Sequence, residues 1–140
     1  MAIRRRNASN CSSECEACAM HEDREQKPDD LEERTFEFAK SVRSFVKRLP
    51  RTMCNIEDVK QVVRSSGSVG ANYIEANESL SKKDFKMRIK ISRKEAKETG
   101  YWLRLIEVGD DNRLDQECTN LVQESTELMK IFGAILQKSE

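Results

Sequence analysis

From residue 31 onward, large apolar side chains recur at three- and four-residue steps with charged side chains between them, the period of helices that bury one face. Leu31, Phe38, Val42, Phe45, Val46 and Leu49 form the first run, and Pro50 stops it. Asn55, followed three residues later by Asp58, reads as an N-cap and a first-turn acid. They open a second helix through Ile56, Val59, Val63, Val69, Tyr73 and Ile74 toward Glu78. Ser81 and Asp84 repeat that start signal, and the proline-free run to Val108 predicts a third helix of about seven turns. This helix carries two apolar stripes, Phe85, Ile89, Ala96, Leu103 and Ile106 against Met87, Ile91, Tyr101 and Leu105. One bundle core needs only the first, so the second predicts a further partner. After the turn signal Gly109-Asp110-Asp111-Asn112, the residues Leu114, Cys118, Leu121, Ser125, Leu128, Phe132 and Ile135 alternate steps of four and three. Four helices with short connections and no strand alternation predict an all-α, up-down-up-down antiparallel four-helix bundle over residues 31 to 140.

Residues 1 to 30 break this pattern. Beyond the initial Met1 their only large apolar side chains are Ile3 and Met20, too few to offset the entropy of ordering, so they read as a flexible, cysteine-containing arm. Cys11, Cys15, Cys18 and His21 have spacings at which thiolates and an imidazole can converge on a metal, and the three cysteines match a radical-SAM iron–sulfur loop. A bundle of this size offers no barrel for such a cofactor, and the segment has no supporting fold for zinc. The arm is therefore read with reduced thiols and no metal or cofactor, those four residues remaining the candidate ligands.

No stretch approaches the roughly 18 apolar residues of a membrane span, and Met1 to Asn7 lead into no apolar signal segment, so a cytoplasmic protein without membrane contact is expected. The only histidine, His21, lies in the arm, and no nucleophile or phosphate-loop setting is present, so no catalytic residue and no enzymatic activity are expected. Cys54 and Cys118 read as core filler.

The segment Arg64-Ser65-Ser66-Gly67-Ser68-Val69-Gly70-Ala71-Asn72 places two glycines and three serines inside a helix, where each lowers helix propensity. Small side chains let backbones approach, which predicts a close crossing of helix two, inside the bundle or between subunits. Asn72 and Glu75 share a face and suggest a polar network or a ligand contact.

The runs Gln61 to Ala76, Ser81-Lys82-Lys83-Asp84-Phe85 and Lys94 to Leu103 resemble the four-helix bundle family named for 23S rRNA intervening sequences, over about residues 31 to 138. Gln61, Arg64, Asn72 and Glu75 match its helix-two motif, and Tyr101 and Trp102 match one branch at helix three; all six are read as structural or interface residues. The resemblance implies an up-down bundle assembled as a homopentamer, without established enzymatic activity, and a role in nucleic-acid binding like that of a related retroelement accessory protein. The arm lies outside the family pattern, and Gly100 stands where that branch has a larger residue, which predicts a looser third helix.

Charge completes the reading. The 25 basic and 25 acidic residues cancel, but Lys82 to Arg104 hold nine basic against three acidic, while residues 107 to 140 hold three against eight. Residues 40 to 64 add seven basic against two acidic. The expected nucleic-acid surface lies on helices one to three and is led by Lys82, Lys83, Lys86, Lys90, Arg93, Lys94 and Lys97, contacting phosphates rather than bases. The alternative is a ring-forming scaffold whose lysine-rich and acid-rich helices pair with each other.

Overall fold

The computed structural model describes residues 31 to 140. The arm, with Cys11, Cys15, Cys18 and His21, lies outside the described residues. Four helices follow in order: α1 Leu31–Val46, α2 Met53–Asn77, α3 Lys82–Leu105 and α4 Asn112–Lys138, with no strand among the described residues. Side-chain contacts tie α1 to both α2 and α4, and α3 to both α2 and α4, the arrangement of an up-down bundle.

Helices α2, α3 and α4 each start where a side-chain oxygen accepts orphan N–H groups. Ser81 caps α3 by accepting from the Asp84 N–H at 3.1 Å, and Asp111 caps α4 by accepting from Arg113 and Leu114. Gly109 takes a φ of +72° in the connection before it, a conformation that favours glycine. For α2 the cap is Thr52, three residues earlier than the sequence suggests; its hydroxyl accepts from the Asn55 N–H at 3.1 Å. Asn55 is instead a buried residue inside the first turn, occupied with the loops at that end of the bundle.

The core is built from Phe38, Val42 and Phe45 of α1, Ile89, Ala96 and Leu103 of α3, and Leu114, Leu121, Leu128 and Phe132 of α4. On α2 the buried face differs from the expected one: Asn55, Val62, Ser65, Ser66, Val69 and Ala76 point inward, whereas Ile56 and Ile74 are exposed. The reason is the closeness of its neighbours. A Cβ on Gly70 would lie 2.9 Å from Thr35 Oγ1 of α1. Across the other side, Thr99 donates to Ser65 Oγ at 2.8 Å and Ser92 to the Val69 carbonyl at 2.9 Å. The small residues thus set helix crossings within the bundle, leaving no room for isoleucine there.

Gly100 has a similar role on α3. It is buried, and a Cβ there would lie 2.7 Å from Ser125 Oγ of α4. The helix runs unbroken through it, so the glycine serves contact with α4 rather than loosening α3. Cys118 is buried and donates to the Leu103 carbonyl, as core filler should, but Cys54 is exposed.

Candidate nucleic-acid interface

At 100° per residue, Lys82, Lys83, Lys86, Lys90, Arg93, Lys94 and Lys97 fall within an arc of about 120° on α3. The arc lies on the α4 side of the outer surface, next to the buried line of Ile89, Ala96 and Leu103. Six of the seven side chains are exposed and Lys86 is half-buried. Only Lys94 has an ion-pair partner among the described residues, Glu95 at 3.7 Å.

Three of the four acids of α4, Glu117, Glu124 and Glu127, turn toward α1. Glu124 and Glu127 point toward α1, where Arg34 Nε donates to Glu124 Oε1 at 3.0 Å and Arg34 Nη2 donates to Glu127 Oε2 at 2.8 Å. The hydrogen bond to Glu124 raises the Arg34 pKa above its ordinary value, with burial opposing it. Glu117 lies against Arg48 at 2.6 Å, an ion pair without hydrogen-bond alignment. The acid-rich helix thus pairs with α1, and among the described residues the basic arc of α3 beside it has Glu95 as its one ion-pair partner.

Lys86, Lys90 and Arg93 line a groove of about 520 Å³ between α3 and α4, together with Lys130, Gly133, Ala134, Gln137 and Glu140. Lys130 and Gln137 were not legible as site residues, because Lys130 is an isolated base in a helix whose total charge is acidic. The basic residues of α1 and α2 lie elsewhere: Arg43, Lys60 and Arg64 line a second groove with Val59, Val63, Gly67, Ser68 and Ala71. In the bundle order that groove and the α3–α4 groove are on opposite sides, so the cations of helices one to three form two surfaces.

The motif residues of α2 divide likewise. Asn72 and Glu75 converge on Arg88 of α3, which donates to Asn72 Oδ1 at 3.2 Å and pairs with Glu75 at 2.8 Å. They form a network that ties two helices. Gln61 and Arg64 are exposed. Tyr101 is exposed and meets half-buried Trp102 edge-on, ring centroids 5.1 Å apart.

The chain matches the 23S rRNA-intervening sequence protein family over residues 30 to 134. It belongs to that family. It is also similar to a crystal structure of a protein of unknown function from the S23 ribosomal protein family of Bacteroides thetaiotaomicron, with 33% identity and a TM-score of 0.65. That match covers 75% of this chain and 96% of the other. No curated protein matches. No helix among the described residues is long and apolar enough to cross a membrane.

Proposed function

We propose that this member of the 23S rRNA-intervening sequence family is a non-enzymatic, cytoplasmic, oligomeric bundle that binds RNA or DNA through phosphate contacts. The observation that carries the reading is the basic arc of α3, whose cations have Glu95 as their one carboxylate partner among the described residues, while Glu117, Glu124 and Glu127 of α4 pair with α1. Exposed unpaired cations in a row attract a polyanion through counterion release, which makes the affinity steeply salt-dependent. Fluorescence anisotropy with structured RNA and with duplex DNA in low salt tests it. Binding should fall steeply with salt and disappear when Lys82, Lys83, Lys86 and Lys90 are all changed to Glu, the oligomer remaining intact.

A second set of observations favours assembly. Ile56 and Ile74 on α2 and Met87, Tyr101 and Leu105 on α3 are exposed apolar side chains on two different outer faces. Two unlike faces suit head-to-tail contact between copies, which closes into a ring, and the homopentamer of the resemblance is the proposed form. Arg43, Lys60 and Arg64 border the α2 face, while Glu98, Lys83 and Lys94 share the sector of the α3 stripe by position, so the contact is carried by apolar side chains rather than by opposite charge. If no nucleic acid binds in low salt, the ring-forming scaffold is the function.

A further inference from the structure

The α3–α4 groove has features that a uniformly charged helix face lacks. Its two walls come from different helices and both carry donors: Lys86, Lys90 and Arg93 on α3, Lys130 and Gln137 on α4. Buried Leu136 and the small residues Gly133 and Ala134 also line it, and the small side chains leave the space open. A Cβ on Gly133 would lie 4.0 Å from Arg93 Cδ, and one on Gly100 would lie 2.7 Å from Ser125 Oγ, which fixes the antiparallel register of the walls. In that register Lys130 stands opposite the turn between Arg93 and Lys97, extending the cationic line across the groove. Glu140, the one acid among the lining residues, stands at the Lys86 end.

No carboxylate among the described residues comes within ion-pair distance of Lys86, Lys90, Arg93 or Lys130. Four unpaired cations at one concavity repel each other, so a site of this kind gains from an anion that bridges its walls. The width of the groove restricts that anion. Packed helices stand about 8 to 10 Å apart axis to axis, so the furrow between them is of a size to seat one sugar–phosphate strand along its length rather than a whole double helix. Along α3 the distance from Lys86 to Lys97 is about 17 Å, the length over which a stacked single strand presents on the order of five phosphates.

We propose that the groove between α3 and α4 is a binding site for the backbone of a single nucleic-acid strand, with Lys130 and Gln137 as its α4 wall. The inference rests on the nucleic-acid reading above and adds the strandedness of the ligand and the residues of the second helix. The strand's phosphates bridge Lys86, Lys90 and Arg93 on one wall and Lys130 on the other, and its bases face solvent. The apolar stripe of Met87, Ile91 and Leu105 lies on the α2 side of the basic arc, with Tyr101 at its border beside Lys83, so a ring that covers the stripe covers the Lys83 edge of the arc and leaves Lys86, Lys90 and Arg93 open to the groove.

The test is anisotropy of the full chain with a fluorescein-labelled twelve-nucleotide oligouridine across a salt series, beside a duplex RNA of the same length. Four phosphate contacts to a single strand give a slope of log affinity against log salt of about −3, and the duplex should bind at least ten-fold more weakly. Lys130→Glu should weaken the single-strand complex at least ten-fold, and Lys130→Gln should reduce the slope by about 0.7. Lys138→Glu makes the same charge change on α4 outside the groove and should have less than a third of the effect of Lys130→Glu. Glu140→Gln should tighten binding a few-fold. If the wild-type chain binds and Lys130→Glu matches it or Lys138→Glu, the α4 wall is wrong while the basic face of α3 stands. A duplex that binds as tightly as the single strand also overturns the groove site. Absence of any binding to either probe in low salt removes the nucleic-acid reading itself.

Discussion

Asn55 and Glu107 exchange two hydrogen bonds across one end of the bundle: Asn55 Nδ2 donates to the Glu107 carbonyl at 2.8 Å, and Asn55 Oδ1 accepts from the Glu107 N–H at 3.0 Å. The same Nδ2 donates to the Pro50 carbonyl at 3.0 Å. One buried amide thus joins the α1–α2 connection to the chain leaving α3, satisfying three backbone groups that no helix serves.

Replacing Asn55 by Ala leaves those backbone groups without partners. The expected cost is about 2 to 4 kcal/mol, seen as a fall in thermal midpoint of roughly 10 to 20 °C. Asn55→Asp keeps the acceptor for the Glu107 N–H but loses both donors and points a carboxylate at two carbonyl oxygens. It should be destabilised too, increasingly so as pH rises through ionisation of the new acid. Thermal circular dichroism checks both, and a change below about 1 kcal/mol for Asn55→Ala would contradict the tie described here.

Gly100 and Ser125 make a cleaner pair for a cycle. Gly100→Ala brings a methyl to 2.7 Å from Ser125 Oγ but 3.8 Å from Ser125 Cβ, so only the hydroxyl is in the way. The single change should destabilise the bundle in urea unfolding. Combined with Ser125→Ala it should recover to at least the stability of Ser125→Ala alone, because Ala in a helix is favoured over Gly by about 1 kcal/mol. Additive losses would mean that the glycine is needed for some other reason.

The fold was readable in the sequence because α1, α3 and α4 bury the large residues that their periodicity marks, such as Phe45, Leu103 and Phe132. Periodicity weights bulk and so misplaces the buried face of α2. Ser65, Ser66 and Gly70 face close neighbours, and Ile56 and Ile74, which the period places inward, point out. That the seven cations of α3 share one arc follows from their spacing alone. Lys130 was not legible, since the summed charge of α4 says nothing about which side of the helix Glu117, Glu124 and Glu127 occupy, and only their pairing with Arg48 and Arg34 reveals it.

The two cysteines of the bundle should differ in reactivity. In a chain with Cys11, Cys15 and Cys18 changed to Ser, exposed Cys54 should react with Ellman's reagent within seconds to minutes, while buried Cys118 should react only on unfolding. Burial, and then the charge of Asp115, push the Cys118 pKa above the ordinary thiol value. The folded chain therefore keeps a proton that the unfolded chain releases, and stability falls as pH rises past the ordinary thiol pKa. A Cys118→Ala variant should lose less over that range. Two equally fast thiols in the folded chain would refute the assignment.

Assembly through two unlike faces makes a prediction that simple association does not. Ile74 and Met87 are about half exposed, so Glu at either position should change the stability of an isolated bundle by no more than about 0.5 kcal/mol. The wild-type chain should scatter light as an oligomer, and Ile74→Glu and Met87→Glu should each scatter as monomers, because each removes one of the two faces of a head-to-tail contact. Mixed in equal amounts, the variants retain one intact pair of faces between them: the α2 face of the Met87→Glu chain and the α3 face of the Ile74→Glu chain. They should form a dimer that cannot grow, whereas neither variant forms one alone. Two-fold contacts, in which each face meets its own copy, would instead leave each single variant able to dimerise through its remaining face. A wild-type chain with the mass of one protomer would remove the ring and leave the exposed isoleucines and methionine without a role in assembly.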